Sequence, residues 1–286
     1  MGVAVVTDST AYLTAEQAAE HGVRVVPLQV VVGGTAYDEG VEIGSAEVAT
    51  ALRAWTPVST SRPNPHEFLD AYTAAADAGA DAIVSLHISA EMSGTYESAV
   101  LAARESPVPT QVVDSRSMGM GLGFLVLEAA QAARAGDDAD AIAARARRRA
   151  AGSQGFFVVA TLEHLRRGGR IGSAAAILGS ALAIKPVLML DDGVIAPLEK
   201  VRTTSRAIAR LEELAVTAAG EGPVQVAVQH LDAQERAAAL AERLQTRLGD
   251  RLAAPGTVVL GEVGAVVGAH VGPGMVAVVV VPADEV

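Results

Sequence analysis

The side chains best equipped for chemistry in this 286-residue chain are small hydroxyls set beside glycine. Ser93-Gly94-Thr95 follows an apolar run, Asp81 to Leu86, and leads into an alanine-rich segment, Tyr96 to Arg104. That order predicts a strand whose carboxyl end turns into a helix amino terminus. There the first N–H groups lack intrahelical acceptors, the helix dipole is positive, and small side chains let a carboxylate or phosphate come close. The same turn also suits plain capping by Ser93, although Tyr96 stands where a capping box would need Glu or Gln.

A second set of donors lies in Pro57-Val58-Ser59-Thr60-Ser61-Arg62-Pro63-Asn64-Pro65. Its prolines predict a stiff loop from which Thr60 and Ser61 can turn hydroxyls toward a ligand. Asn64 and Pro65 fit the cap and first position of a helix from His66 to Ala78, so a rigid connector is an equal reading. His270 is the one histidine of a glycine-rich bend, Gly264 to Gly274, and Arg170 follows a Gly-Gly stop on a tight loop. Folding can also assemble Ser93, His270 and Asp8 or Asp114 into a triad, because triads are defined by geometry rather than order. A serine hydrolase, and a regulator binding another small anion at the Ser93 turn, therefore stay open.

Other chemistry is missing. There is no G-x-x-x-x-G-K-[ST] loop and no G-x-S-x-G elbow, and the histidines at 21, 66, 87, 164, 230 and 270 have no metal-site spacing. Gly119, Gly121 and Gly123 only imitate a dinucleotide fingerprint, since Phe124 occupies the third glycine's place, and helix-start packing is their expected role. No cofactor or metal is expected. The absence of cysteine excludes disulfides and a thiolate nucleophile. A net charge of -11 argues against nucleic-acid binding. Without a signal-like start or an apolar stretch of 18 residues, the expectation is a soluble cytoplasmic protein with no stable membrane insertion.

The positioning elements follow from periodicity. Val3 to Val6, ended by Thr7-Asp8-Ser9, and Thr110 to Val113, ended by Asp114-Ser115, read as strands, as does Val23 to Val32 in one piece. Thr14 and Gln17 form a capping box for a helix that stops at Gly22, and Ile43 to Trp55 is helix-like. Strands alternating with helices predict a parallel sheet with ligands at its carboxyl ends. Arg134 to Ala151 reads as one helix whose Arg145, Arg147, Arg148 and Arg149 make a solvated face. After a strand at Phe156 to Ala160 the chain changes character, which places a boundary near residue 160. Beyond it come a hairpin, Ala183 to Leu190 and Val194 to Leu198, helices at Thr203 to Ala219 and Asp232 to Leu248, and strands at Val224 to Val228, Thr257 to Leu260 and Val276 to Val281. With half of the residues hydrophobic and 3% aromatic, any cavity should be walled by aliphatic carbon.

Several short segments in one order complete the picture: Val5-Val6-Thr7-Asp8-Ser9, Thr60-Ser61-Arg62-Pro63-Asn64-Pro65, Ser93-Gly94-Thr95-Tyr96, Val113-Asp114-Ser115, Leu162 to Ile171, Ile184-Lys185-Pro186, Lys200-Val201-Arg202-Thr203 and His270-Val271-Gly272-Pro273-Gly274. Together, over nearly the whole length, they resemble the DegV family of bacterial fatty-acid-binding proteins. The resemblance implies an α/β fold of two domains, a parallel-sheet domain at 1–160 and an α/β sandwich with a mainly antiparallel sheet at 161–286, with the ligand between them. It implies a non-catalytic carrier that holds a long-chain fatty acid in a buried tunnel and presents its carboxylate to a separate, ATP-dependent fatty acid kinase subunit for acyl-phosphate formation. Thr60, Ser61, Ser93, Gly94, Thr95 and His270 are then the carboxylate-binding residues, and Arg170 and Arg202 serve the head group or dock the kinase. Neutral hydroxyl and N–H donors can hold a carboxylate without a buried counter-ion. Val271 stands where many members carry threonine, which removes one hydroxyl from the head-group region.

Overall fold

A computed structural model describes residues 2–177 and 184–283. The first half of the chain runs β1 (Val3–Asp8), α1 (Ala15–His21), β2 (Val23–Val26), β3 (Gln29–Val32), β4 (Thr35–Asp38), α2 (Ser45–Arg53), β5 (Val58–Ser61), α3 (Pro65–Asp77), β6 (Ala82–His87), α4 (Thr95–Ala103), β7 (Thr110–Asp114), α5 (Met120–Ala135) and α6 (Ala139–Gly152). The second half adds β8 (Gln154–Val158), α7 (Glu163–Arg167), β9 (Lys185–Asp191), β10 (Val194–Val201), α8 (Thr204–Ala219), β11 (Val224–Leu231), α9 (Gln234–Leu248), β12 (Val259–Glu262), α10 (Ala265–Val271) and β13 (Met275–Pro282).

The apolar runs form a parallel sheet in the order β2-β1-β6-β7. A six-stranded sheet, β10-β9-β8-β13-β11-β12, is antiparallel except for β11 and β12. The architecture is thus α/β, with one parallel and one mainly antiparallel sheet. β8 precedes residue 160 but pairs with β9 and β13, so a division drawn by sheet membership falls before Gln154. The face of the large sheet that carries Val226, Val228, Val276 and Val278 packs on α8 and α9. Ala227 and Val279 join the core built around α5 and the parallel sheet. The two sheets therefore share apolar packing, and side chains from both reach one space.

Local expectations hold where caps are complete. Thr14 and Gln17 cap α1, and Asn64 and Glu67 cap α3 with Pro65 in its first turn. Gly121 and Gly123 pack at the start of α5, where a Cβ on Gly123 would meet the Ala11 carbonyl.

Four expectations are corrected. Val23 to Val32 is two strands in two sheets, because Pro27 has no N–H for a ladder and Leu28 N donates instead to Ser9 Oγ at 3.0 Å. Pro57 to Pro65 is not all loop: Val58–Ser61 is an edge strand that pairs with β3, forming with β4 a small antiparallel sheet. The helix expected from Arg134 to Ala151 is two helices, divided where Gly136 takes a left-handed cap and Asp138 begins α6. Arg149 leaves the solvated face and lies buried, paired with Glu128 and bonded to the Pro282 carbonyl at 2.6 Å. The hairpin forms as β9 and β10, and Ala183, its expected start, lies outside the described residues.

Candidate functional site

The segment read as a glycine-rich bend, Gly264 to Gly274, is a helix over Ala265–Val271, α10, and turns only at Gly272 to Gly274, which corrects the expectation for its first part. Valine and alanine between the glycines supply a buried apolar face that a bend would leave exposed. Its amino end is capped by distant residues. Val266 N donates to Glu39 Oε1 at 2.7 Å and Val267 N to Tyr12 Oη at 3.2 Å. Burial raises the Glu39 carboxyl to about 7, against the lowering effect of the Ser9 hydroxyl and the Val266 N–H. Burial, then the neighbouring Glu39, raises the Tyr12 phenol well above its ordinary value.

At the other end of α10, His270 Nε2 lies 2.8 Å from Thr60 Oγ1 on β5. Its Nδ1 is buried without a hydrogen-bond partner among the described residues. Burial, and secondly the Arg170 charge, lowers its pKa to about 4, so the ring is neutral near pH 7. The ring lies against Gly168, where a Cβ would overlap Nδ1. Reciprocally, His164 of α7 lies against Gly272, so the two short helices interlock through glycine contacts.

Thr60, Ser61, Ser93, Gly94, Arg170 and His270 line one cavity of about 350 Å³. Two expected residues are elsewhere. Thr95 is fully buried behind Ser93, its Oγ1 2.8 Å from Ser93 Oγ, and is not among the lining residues. Arg202 is exposed just past β10 and does not border the cavity. Ser93 is also not the cap of α4: the helix begins at Thr95 after Gly94, and Ser93 Oγ accepts from Thr95 N at 3.3 Å. Arg170 donates through Nε to the Met92 carbonyl at 3.1 Å and through Nη1 to Gly168 at 2.8 Å, tying the serine turn to α7.

Arg62 joins the expected residues at this cavity. Its guanidinium lies on Gly94, where a Cβ would overlap it, and it borders the same cavity as Arg170. Two positive charges therefore face the hydroxyls, which favours an anion. The one signal for Arg62 in the sequence was its place as the only cation among the Thr60-Ser61 residues and prolines. Glu39 and Tyr12 had no local signal.

Ser93, His270 and Asp8 or Asp114 do not assemble into a triad. Asp8 accepts from His87 Nδ1 and from Ile88 N, each at 3.0 Å. Asp114 accepts from Arg116 N at 2.8 Å and Ala90 N at 3.2 Å. His270 Nδ1 thus has no carboxylate to orient it, and Ser93 bonds to Thr95.

Met118, Ile195, Val267 and Val271 border both this cavity and a second, apolar one. The second is walled by Phe157, Leu190, Met275, Ala277 and Val279 on the inner face of the large sheet. A polar chamber thus opens beside an apolar one. Among the described residues no group of acidic or histidine side chains is placed to hold a metal, and no helix is long and apolar enough to cross a membrane.

The family model described as "Uncharacterised protein, DegV family" matches residues 2–283. A DegV domain-containing protein of Streptomyces coelicolor is 55% identical over 278 residues, covering 97% of this chain and 98% of that protein. One from Mycobacterium tuberculosis is 39% identical, covering 93% and 95%. Among solved structures, a DegV family protein from Thermus thermophilus, described for fatty acid binding, superposes with TM-score 0.92 at 33% identity, covering 99% of this chain and 100% of that one. DegV of Bacillus subtilis, a fatty acid binding protein, gives 0.88 at 33% identity with the same coverage.

Proposed function

We propose, because the chain belongs to the DegV family, that it is a cytoplasmic carrier which binds a long-chain fatty acid and presents the carboxylate to a separate ATP-dependent kinase. One observation carries this reading: the hydroxyl- and arginine-lined chamber adjoins an apolar one through Met118, Ile195, Val267 and Val271. The carboxylate takes the polar chamber, where Thr60, Ser61, Ser93 and the Gly94 turn donate and Arg62 and Arg170 supply charge. Thr95 acts behind Ser93 and orients its hydroxyl. The tail passes between the units 1–160 and 161–286. Each buried CH2 contributes about 0.8 kcal/mol, so the tail supplies most of the affinity and the polar end fixes the head.

Neutral His270 joins Thr60 and leaves a carboxylate oxygen free to attack the terminal phosphoryl group of ATP, with ADP leaving. That step belongs to the kinase; this chain holds the acyl group and is not the catalyst. Exposed Arg202 is suited to docking the partner and Arg170 to the head group. Native mass spectrometry after adding palmitate or oleate tests the carrier reading. A mass increase of one fatty acid per chain supports it, and no uptake of either overturns it. Adding a fatty acid kinase and ATP to the loaded protein tests the partnership, whose mark is ADP release that depends on the fatty acid.

A further inference from the structure

The inner face of the large sheet is apolar around the second cavity except at one position. Gln229 on β11 is 3% exposed and borders that cavity. Its Oε1 accepts from Met120 N at 2.9 Å, at the amino end of α5. Because a backbone N–H requires an acceptor, this bond fixes which end of the carboxamide is oxygen. Gly119, with φ +62°, leaves the room: a Cβ there would overlap Oε1. The Nε2 amine, held opposite, makes no hydrogen bond among the described residues.

Capping α5 requires only the oxygen. The N–H2 group is then an unpaired donor at an aliphatic wall, and burying it against methylenes is unfavourable. A ligand that brings an acceptor to this point removes the penalty.

We propose that Gln229 reads the acyl tail: its amide N–H2 donates to a hydroxyl or keto oxygen on the chain, so that oxygenated long-chain fatty acids are a ligand class of this pocket. The inference rests on the fatty-acid reading above and adds a second polar contact, remote from the carboxylate clamp. In a wholly apolar tail pocket every added hydroxyl weakens binding, because it loses water and gains nothing. Here the position of the oxygen decides the sign.

The test is competition between stearate and a series of positional hydroxystearates and ketostearates, read by native mass spectrometry on the full chain. At least one isomer is expected to match or exceed stearate, and its advantage relative to stearate is expected to fall about tenfold in Gln229→Met. Uniformly weaker binding of every oxygenated isomer, or an unchanged ratio in the variant, overturns the inference while leaving the carrier reading intact. Failure of wild type to take up any of these acids removes both. Should Gln229→Met not fold, a crystal structure of wild type with its preferred isomer decides: the chain oxygen must lie within hydrogen-bond distance of Nε2, and an oxygen elsewhere overturns the proposal.

Discussion

His270 Nε2 and Thr60 Oγ1 meet at 2.8 Å across a separation of 210 residues, joining α10 to the edge strand β5. The bond places a neutral imidazole and a hydroxyl on one wall of the polar chamber. Its partners can be moved separately, which makes the site open to test.

The His270 pKa of about 4 lies below its ordinary 6.5, so the unfolded chain binds a proton that the folded one refuses as pH falls between these values. Stability from this group is full above about 6.5 and is lost toward 4, by up to about 3 kcal/mol. Urea unfolding of wild type and His270→Gln at pH 7 and pH 5 checks it. Wild type is expected to lose more stability than the variant, and parallel losses would refute the assignment.

Glu39 runs the other way. Its folded pKa of about 7 exceeds the ordinary 4.5, so its contribution declines as pH rises through that window, by up to about 3 kcal/mol. Glu39→Gln keeps an acceptor for Val266 N and removes the ionisation. The stability difference between variant and wild type should shift in the variant's favour from pH 5 to pH 8, and a constant difference would clear Glu39 of the titration.

Gly94→Ala should displace the Arg62 guanidinium, the flexible end of an exposed side chain, with a stability change within about 1 kcal/mol. Palmitate uptake should weaken, as in Arg62→Gln. The two losses should not add in the double variant, since both remove one contact. Additive losses would mean that Gly94 serves the ligand by another route.

Ile195 borders both chambers, and Ile195→Phe narrows the passage between them. Palmitate binding should fall while decanoate, whose tail ends sooner, is retained. Equal loss of both acids would place the tail elsewhere.

Arg202→Ala should leave stability within about 0.5 kcal/mol and fatty-acid uptake unchanged, because the side chain is exposed and outside the cavity. Kinase turnover on the loaded variant should drop. Unchanged turnover would assign Arg202 to the ordinary surface.

Much of the architecture was legible because its causes are local. The apolar runs at Val3, Ile83 and Val112 become strands of one parallel sheet, and Asn64 with Glu67 starts α3 where the cap residues require it. The hydroxyl turn at Ser93 and the histidine at 270 could be found for the same reason, since residue types and glycine spacing are written in the chain. The role of Thr95 was not, because a hydroxyl in a turn has the same sequence whether it faces a cavity or lies buried behind its neighbour.

By itself, the sequence determined the α/β class, most helix boundaries and a group of candidates, Thr60, Ser61, Ser93, Gly94, Arg170 and His270, that line one cavity. Pro27 marks in the sequence where Val23 to Val32 breaks, while tertiary structure decided which sheet each part joins, that Thr60 stands on a strand, and that α10 is a helix. Tertiary structure also brought in Arg62, Glu39, Tyr12 and Gln229. Their bonds and contacts reach Gly94, Val266, Val267 and Met120, and the hydrogen-bonded pairs are separated by 109 to 255 residues. A buried polar atom must find a partner wherever the fold supplies one, and no period or short motif records a partner at that distance.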